Sequence, residues 1–377
     1  MKNKTFNRLE VFCFFTYALY LFSKMFVCVN FINPIMKYVR VIAYILLIII
    51  FFIQVKKYSL KQFIILIIIF IPISISCFIT NDESLLALLL FIYSFQTINF
   101  DDFIKFDLII RIFFILMVVS LYYLGFTSTY TMIRDNGQLR YSMGFSHPNM
   151  FGTYIFSIVT DIFYLCHSKR KLFPIFICIC LLLSVYFLSN SRTSIICITL
   201  IILLMFLKDN RLDSIIKKFQ KYKFSKHMFL IFTCVTYFLI YIYRLKIGIS
   251  FFLNNLFSGR ISGMNNLIST YGFRLFGNKI DFISTQDAHL LSLKSICLDN
   301  SFLYLLIVYG IIPFIIIYYI MYRFERKTFK NNNKKMYILF VIHLIFGLME
   351  SNIFTLSCNA QLLYLADDFL GNKETKD

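Results

Sequence analysis

The sequence predicts an all-α fold: a polytopic transmembrane helix bundle of about 12 spans with a large extracytoplasmic loop. Three observations carry this expectation. Of the 377 residues, 59% are hydrophobic and only 15% charged, with a mean hydropathy of +0.75. An ordinary soluble domain has about 25% charged and 45–50% apolar residues. The apolar residues fall in blocks close to the ~20 residues that cross a bilayer as a helix. Finally, the basic residues gather in alternate connecting loops. A transmembrane barrel is excluded, since its segments would be ~10 residues long with period-two alternation. Forty-seven Phe against five Pro and twelve Gly exclude a disordered or collagen-like chain.

In order, the apolar blocks run approximately 11–29, 39–55, 62–79, 84–98, 108–125, 149–166, 172–188, 193–207, 228–243, 301–321, 336–350 and 354–369. The fourth, eighth and last are short, and the last carries Asn359 and Gln361. The first reads as a retained span, because no small-residue cleavage site follows it. Residues 1–377 are thus expected to form one integral membrane domain. Within it lie a first outer loop at 126–148, a basic cytoplasmic loop at 208–227 and a large outer loop at 244–300.

Orientation follows from charge. With Lys2, Lys4 and Arg8 inside, Lys56, Lys57 and Lys61, then Lys169 to Lys171, Lys208 to Lys226 and Arg323 to Lys335 also fall inside. Both termini are therefore expected in the cytoplasm, and the protein in the cell (plasma or inner) membrane. Asp101 and Asp102 depart from this pattern, but acidic residues carry little topological weight. The net charge of +19 follows from the same bias, so nucleic acid is not an expected partner. Most of the ten Cys lie inside apolar runs. They show no metal-ligand spacing, and neither a metal nor a cofactor is expected. Cys297 and Cys358 fall near the outer face, where they could pair.

The outer segments hold the residues suited to chemistry. Arg134 and Arg140 lie in the first outer loop, Arg192 in SNSRTS, and Arg260 and Arg274 in SGRISGMNNLISTYGFRLFG. Arginine's planar fork matches phosphate oxygens bidentately; lipid headgroups, Asp281 or Asp287 are alternative partners. In the large loop, Ile261, Met264, Ile268 and Tyr271 recur at helical spacing, which predicts a short amphipathic helix on the outer membrane face.

Three motifs coincide with helix starts on that side. RYSMGFSHPNMFG, from Arg140 to Gly152, leads into the sixth span, with Pro148 suited to its first helical position. SNSRTS opens the eighth span and LDNSF, from Leu298 to Phe302, the tenth. Free N–H groups at such starts bind anions, more so beside arginine. Ser, Asn and Asp here also suit ordinary capping.

The ordered set resembles the Wzy-type polysaccharide polymerases of the O-antigen ligase/polymerase superfamily, especially their Gram-positive capsule and exopolysaccharide branch. Its members are His147-Pro148-Asn149 after Arg140, Ser191-Arg192-Thr193, Arg260 with Gly272, and Asp299-Asn300 before a span reaching Gly310. The resemblance implies a metal-independent glycosyltransferase on the outer membrane face. It would join polyprenyl-diphosphate-linked (undecaprenyl-type) oligosaccharide units into a surface polysaccharide, with membrane lipids and chain-length regulator proteins as candidate partners. By the same resemblance Arg140, Arg192, Arg260 and Arg274, with His147, Asn149 and Asn300, would bind the diphosphate or the substrate. Arg140 to Gly152 and Arg260 to Gly272 share one spacing, one residue longer than is usual in polymerases. Ligases of the superfamily carry His–Asn where this chain has Asp299-Asn300.

The chemistry is coherent without the resemblance. Displacement at an anomeric carbon needs charge stabilisation on the leaving diphosphate, which arginines and helix N-termini supply. The incoming hydroxyl needs a general base. Asp299 is the expected base, with His147 and His289 as alternatives. Lys24, Arg111, Asp161, His343 and Glu350 sit in or beside spans, where ionisable groups are costly and are paired or functional. An Asp161–Arg111 pair is expected, and Glu350 lies near enough to the outer end of its span to approach the arginines. The rival reading is a lipid-linked oligosaccharide flippase or other transporter, and a third is a ligase-like transferase.

Overall fold

A computed structural model describes residues 7–56, 58–127, 131–133, 137–166, 172–207, 214, 216–219, 222–283, 292 and 295–370. The protein is mostly helical, 74% helix against 3% strand. Among the described residues, three helices are long and apolar enough to cross a membrane: Asn33–Val55, Leu60–Thr80 and Leu172–Ser189. Arg134, Asp287, His289, Lys2, Lys4, Lys57, Lys169 to Lys171 and most of the basic loop at 208–221 lie outside the described residues.

The chain divides into two compact units. The first comprises residues 1–59, 89–214 and 356–377, and the second residues 60–88 and 215–355.

The first unit contains α1 (Arg8–Met25), α2 (Asn33–Val55), α5 (Phe100–Tyr123), α6 (Pro148–Leu165), α7 (Leu172–Ser184) and α8 (Arg192–Phe206). The short α4 (Ser84–Ser94) carries the boundary between the units. Two three-residue strands, β1 (Thr131–Ile133) and β2 (Leu139–Tyr141), pair antiparallel with Met132 opposite Arg140. The core is aromatic: Tyr17, Phe91, Phe95 and Phe103 meet edge to face, the geometry that ring quadrupoles favour. Asn99 caps α5, and Asp101 and Asp102 fill its first turn. The helix dipole favours acids there whatever the topology, which accounts for their place in a basic loop.

A charged network is closed inside this core. Arg111 and Asp107, one turn apart on α5, are fully buried and pair at 2.8 Å. Tyr17 donates its hydroxyl to Asp107 at 2.6 Å, and Arg111 also donates to the Ser357 carbonyl. The expected Asp161–Arg111 ion pair is therefore replaced by Asp107–Arg111, because i,i+4 spacing brings those two heads together on one helix. Asp161 instead accepts from Gln361 at 2.8 Å. Residues 354–369, expected as a last span, form turns and then a 3-10 helix over Ala360–Leu370. Asn359 and Gln361 there are buried, and Gln361 also donates to Thr160. Lys24 lies over the Tyr20 ring.

The second unit contains α3 (Leu60–Thr80), α9 (Met228–Arg244), α10 (Gly248–Leu256), α11 (Arg260–Tyr271), the short α12 (Ser301–Tyr304), α13 (Ile311–Lys330) and α14 (Lys334–Gly347). The helix expected from Ile261, Met264, Ile268 and Tyr271 is α11. Its apolar stripe packs into protein and not onto a membrane surface: Ile261, Met264 and Leu267 are buried with Ile240 of α9 and with Leu303, Ile307 and Val308. Glu325 reaches across to accept from the Phe229 N–H in the first turn of α9. Cys297 and Cys358 are not joined in a disulfide.

The expected span 301–321 is broken by a π turn over Leu305–Tyr309, and a second π turn, Val185–Ser189, ends α7 in the first unit. Each closes on a residue with positive φ, Gly310 at 99° and Asn190 at 44°. A π turn releases carbonyls that a regular helix would satisfy, and an apolar interior requires them to be bonded elsewhere. Asn278 donates its backbone N–H to Ile307 and Val308 and its side-chain amide to Ile307, while Ser76 of α3 donates to Tyr309. The segment carrying Asn278 runs backbone against backbone here, and a Cβ on Gly277 would sit 1.8 Å from the Val308 oxygen.

Two outcomes are expected from this packing. Arg111→Met should destabilise the protein by about 3–5 kcal/mol, because Asp107 is left as an uncompensated buried charge. The double variant with Asp107→Leu should recover most of that loss in thermal unfolding in detergent. Gly277→Ala should yield no monodisperse folded protein on size exclusion, since the obstructing atoms are backbone.

Candidate functional site

The sequence-predicted site residues fall into one cluster in each unit. In the first, Arg140 leaves β2 and donates Nε to the Ser189 carbonyl at 2.8 Å, the carbonyl at the end of the π turn. Its Nη2 donates to Asn149 Oδ1. One arginine thereby bridges the start of α6 to the turn that leads into α8, and it is itself buried.

The two helix starts touch directly. A Cβ at Gly152 would lie 2.6 Å from the Ser191 Cβ and 2.8 Å from the Ser194 hydroxyl, so glycine is required by close approach. His147 is the N-cap of α6, where its Nδ1 accepts the Asn149 N–H at 3.0 Å, and Pro148 takes the first helical position. The His-Pro-Asn motif therefore builds a turn: histidine caps, proline fixes φ and asparagine orients Arg140. Arg192 opens α8, is exposed, and has no side-chain partner among the described residues. Two adjacent N-termini with arginines at their mouths make a competent anion cradle.

In the second unit Arg260 opens α11 after Gly259, which adopts φ 79°. Its Nε lies 3.1 Å from Asp299 Oδ2, and its Nη2 lies 3.5 Å from Glu350 Oε1. Nη1 donates to the Met349 carbonyl. One cation thus holds two carboxylates, a cluster of formal charge −1 when all are ionised.

The helix cap at LDNSF is Asn300, not Asp299. Asn300 Oδ1 accepts the Leu303 N–H at 2.8 Å, and its amide donates to Thr236 and to the Leu348 carbonyl. Both amide hydrogens are thereby used within the fold, which leaves none for a diphosphate. Asp299, released from capping, is 37% exposed at its side chain and faces Arg260. Arg274 is exposed, and its backbone carbonyl accepts the Ile311 N–H just past the π turn. Gly272 ends α11 with φ 62°. Asp281 is exposed and makes no ion pair with an arginine among the described residues.

Neither a protein-family model, nor a curated protein, nor a solved structure matches this chain. The functional reading therefore rests on these two clusters and on the sequence motifs.

Sequence reasoning missed Asn278, and it singled out SNSRTS without the role of the Ser189 carbonyl that begins it. Neither role shows in residue type, because the demand for it arises from π turns inside apolar runs. Asp107 was legible, four residues before Arg111. The His343 ring is buried and donates Nδ1–H to the Leu339 carbonyl, within its own helix.

The contact between α6 and α8 gives a direct test. Gly152→Ala should cost roughly 1–3 kcal/mol through overpacking. Ser191→Gly in the same chain should restore part of that in a thermal melt, since it removes the nearer obstructing atom.

Proposed function

We propose that the protein is a membrane-embedded glycosyltransferase that polymerises polyprenyl-diphosphate-linked oligosaccharide units into a surface polysaccharide on the outer membrane face. In this reading the chain crosses the membrane about 12 times with both termini in the cytoplasm. The carrying observation is the cradle of the first unit, where Arg140 is anchored across two abutting helix starts and Arg192 stands exposed at one of them. That arrangement suits the developing negative charge of a leaving diphosphate. The ordered motifs that resemble the Wzy-type polymerases point the same way.

Residue roles follow from the local geometry. Arg140 and Arg192 take diphosphate oxygens, and exposed Arg274 serves as a further anion-binding cation. His147 and Asn149 shape the cradle as cap and brace. Asp299 is the acceptor's general base, held by Arg260. Glu350 keeps Arg260 oriented beside Asp299.

A transporter of lipid-linked oligosaccharide is the second reading. The buried Tyr17–Asp107–Arg111 network favours it, since ionisable groups inside a helical interior often mark transport pathways.

The discriminating experiment supplies purified protein in lipid discs with its organism's diphosphate-linked repeat unit, EDTA and no nucleotide sugar. Polymerisation predicts a ladder of increasing repeat number. Asp299→Asn should slow ladder formation by about 10²–10⁴-fold, the usual worth of a general base, while the protein remains folded. Arg192→Ala should slow it by weakening the donor site. Absence of any ladder with folded protein, together with movement of a labelled lipid-linked oligosaccharide across vesicle membranes, would establish the transporter instead.

A further inference from the structure

A cavity of about 160 Å³ lies wholly within the second unit. It is lined by Asp82, Ser84 and Leu85 around the start of α4, by Tyr304, Leu305 and Tyr309 around the π turn, and by Ser351, Asn352, Phe354 and Thr355 beyond α14. The same stretch supplies Arg260 with its partners Met349 and Glu350, immediately before Ser351. An apolar cavity of about 150 Å³ admits benzene, so this volume takes one six-membered ring. Its lining differs from such a cavity in being rich in hydroxyls.

The polar groups are placed to receive a ligand. Asp82 Oδ2 accepts the Tyr304 hydroxyl at 2.8 Å and Oδ1 accepts the Ser84 N–H at 3.0 Å. A carboxylate has about four acceptor positions, so Asp82 keeps room for a ligand. Tyr309 is 3% exposed and lines the cavity, and its hydroxyl interacts with the Asp82 carboxylate. A phenol both donates and accepts, so its oxygen stays available to a ligand hydroxyl. Tyr304 is stacked against Phe282 and meets Tyr309 edge on, which fixes both rings.

We infer that this cavity is a monosaccharide subsite: it holds one neutral pyranose ring whose hydroxyls hydrogen-bond to Asp82 and to the Tyr309 oxygen. The lining contains no lysine or arginine, which disfavours a phosphate. A single carboxylate already accepting two hydrogen bonds falls short of the oxygen ligands a calcium or magnesium ion requires. Vicinal hydroxyls match a carboxylate's paired oxygens, and a polyol also satisfies the serine and threonine hydroxyls. As a deepening of the glycosyltransferase reading, and resting on it, the ring is that of the acceptor unit beside the Arg260 cluster.

The test uses the full chain in lipid discs and saturation-transfer NMR with methyl glycosides of glucose, galactose, mannose and N-acetylglucosamine. At least one should receive saturation. Asp82→Asn should weaken its binding about tenfold, as expected for loss of a charged acceptor. Tyr309→Phe should weaken it severalfold while the protein remains folded. No transfer to any of the four, or equal transfer in wild type and both variants, overturns the subsite. The polymerase reading fails separately. Sugar binding without a ladder sinks polymerisation and keeps the subsite, while a ladder whose KM for the repeat unit is unchanged in Tyr309→Phe sinks the subsite alone.

Discussion

Backbone polar groups inside apolar surroundings must find partners within the protein, and both clusters of this chain are organised by that demand. Two helices break into π turns, and each break releases carbonyls. In the first unit the Ser189 carbonyl is taken by Arg140. In the second, Ile307, Val308 and Tyr309 are taken by Asn278 and Ser76. Polar side chains are thereby drawn to fixed positions, and the positive-φ residues that end the turns redirect the chain into α8 and α13. Gly277 and Gly310 are required at the second break because backbone packs there against backbone.

The arginines consequently differ in character although the sequence presents them alike. Arg140 is buried and oriented by a carbonyl and an amide oxygen. Arg260 holds two carboxylates and a carbonyl. Arg192 and Arg274 are exposed. A guanidinium already engaged by carboxylates is a poor anion site until something displaces them, whereas an exposed one can respond at once. In the proposed glycosyltransferase reading, this distinction gives Arg260 a positioning role and Arg192 and Arg274 an anion-binding one.

Much of the fold was legible because hydropathy and charge act locally. Helical blocks, the α11 stripe, Pro148 at a helix start and the placing of Arg192 and Arg260 at helix starts were readable from residue type and spacing. Less was legible where one residue could do two jobs. Asp299 and Asn300 are both good caps, and only packing against Thr236 and Leu348 selects Asn300. Asp107 lies one turn from Arg111 on the same helix, and that local spacing supplies the direct ion pair in place of the more distant Asp161. The last apolar block, short for a span, folds as turns and a 3-10 helix.

The sequence by itself determined the class of protein: an apolar, helical chain with few charges, most of them basic, and arginines gathered near a few helix starts. Those properties depend on composition and on neighbours three or four residues away, so they survive without knowledge of the fold. Only the tertiary structure decided which carboxylate meets which arginine, where helices break, and that Asp82, Tyr304 and Tyr309 line one cavity. Asp82 and Tyr304 are hydrogen-bonded across 222 residues of chain. Such contacts arise from the packing of whole helices, which no local pattern encodes.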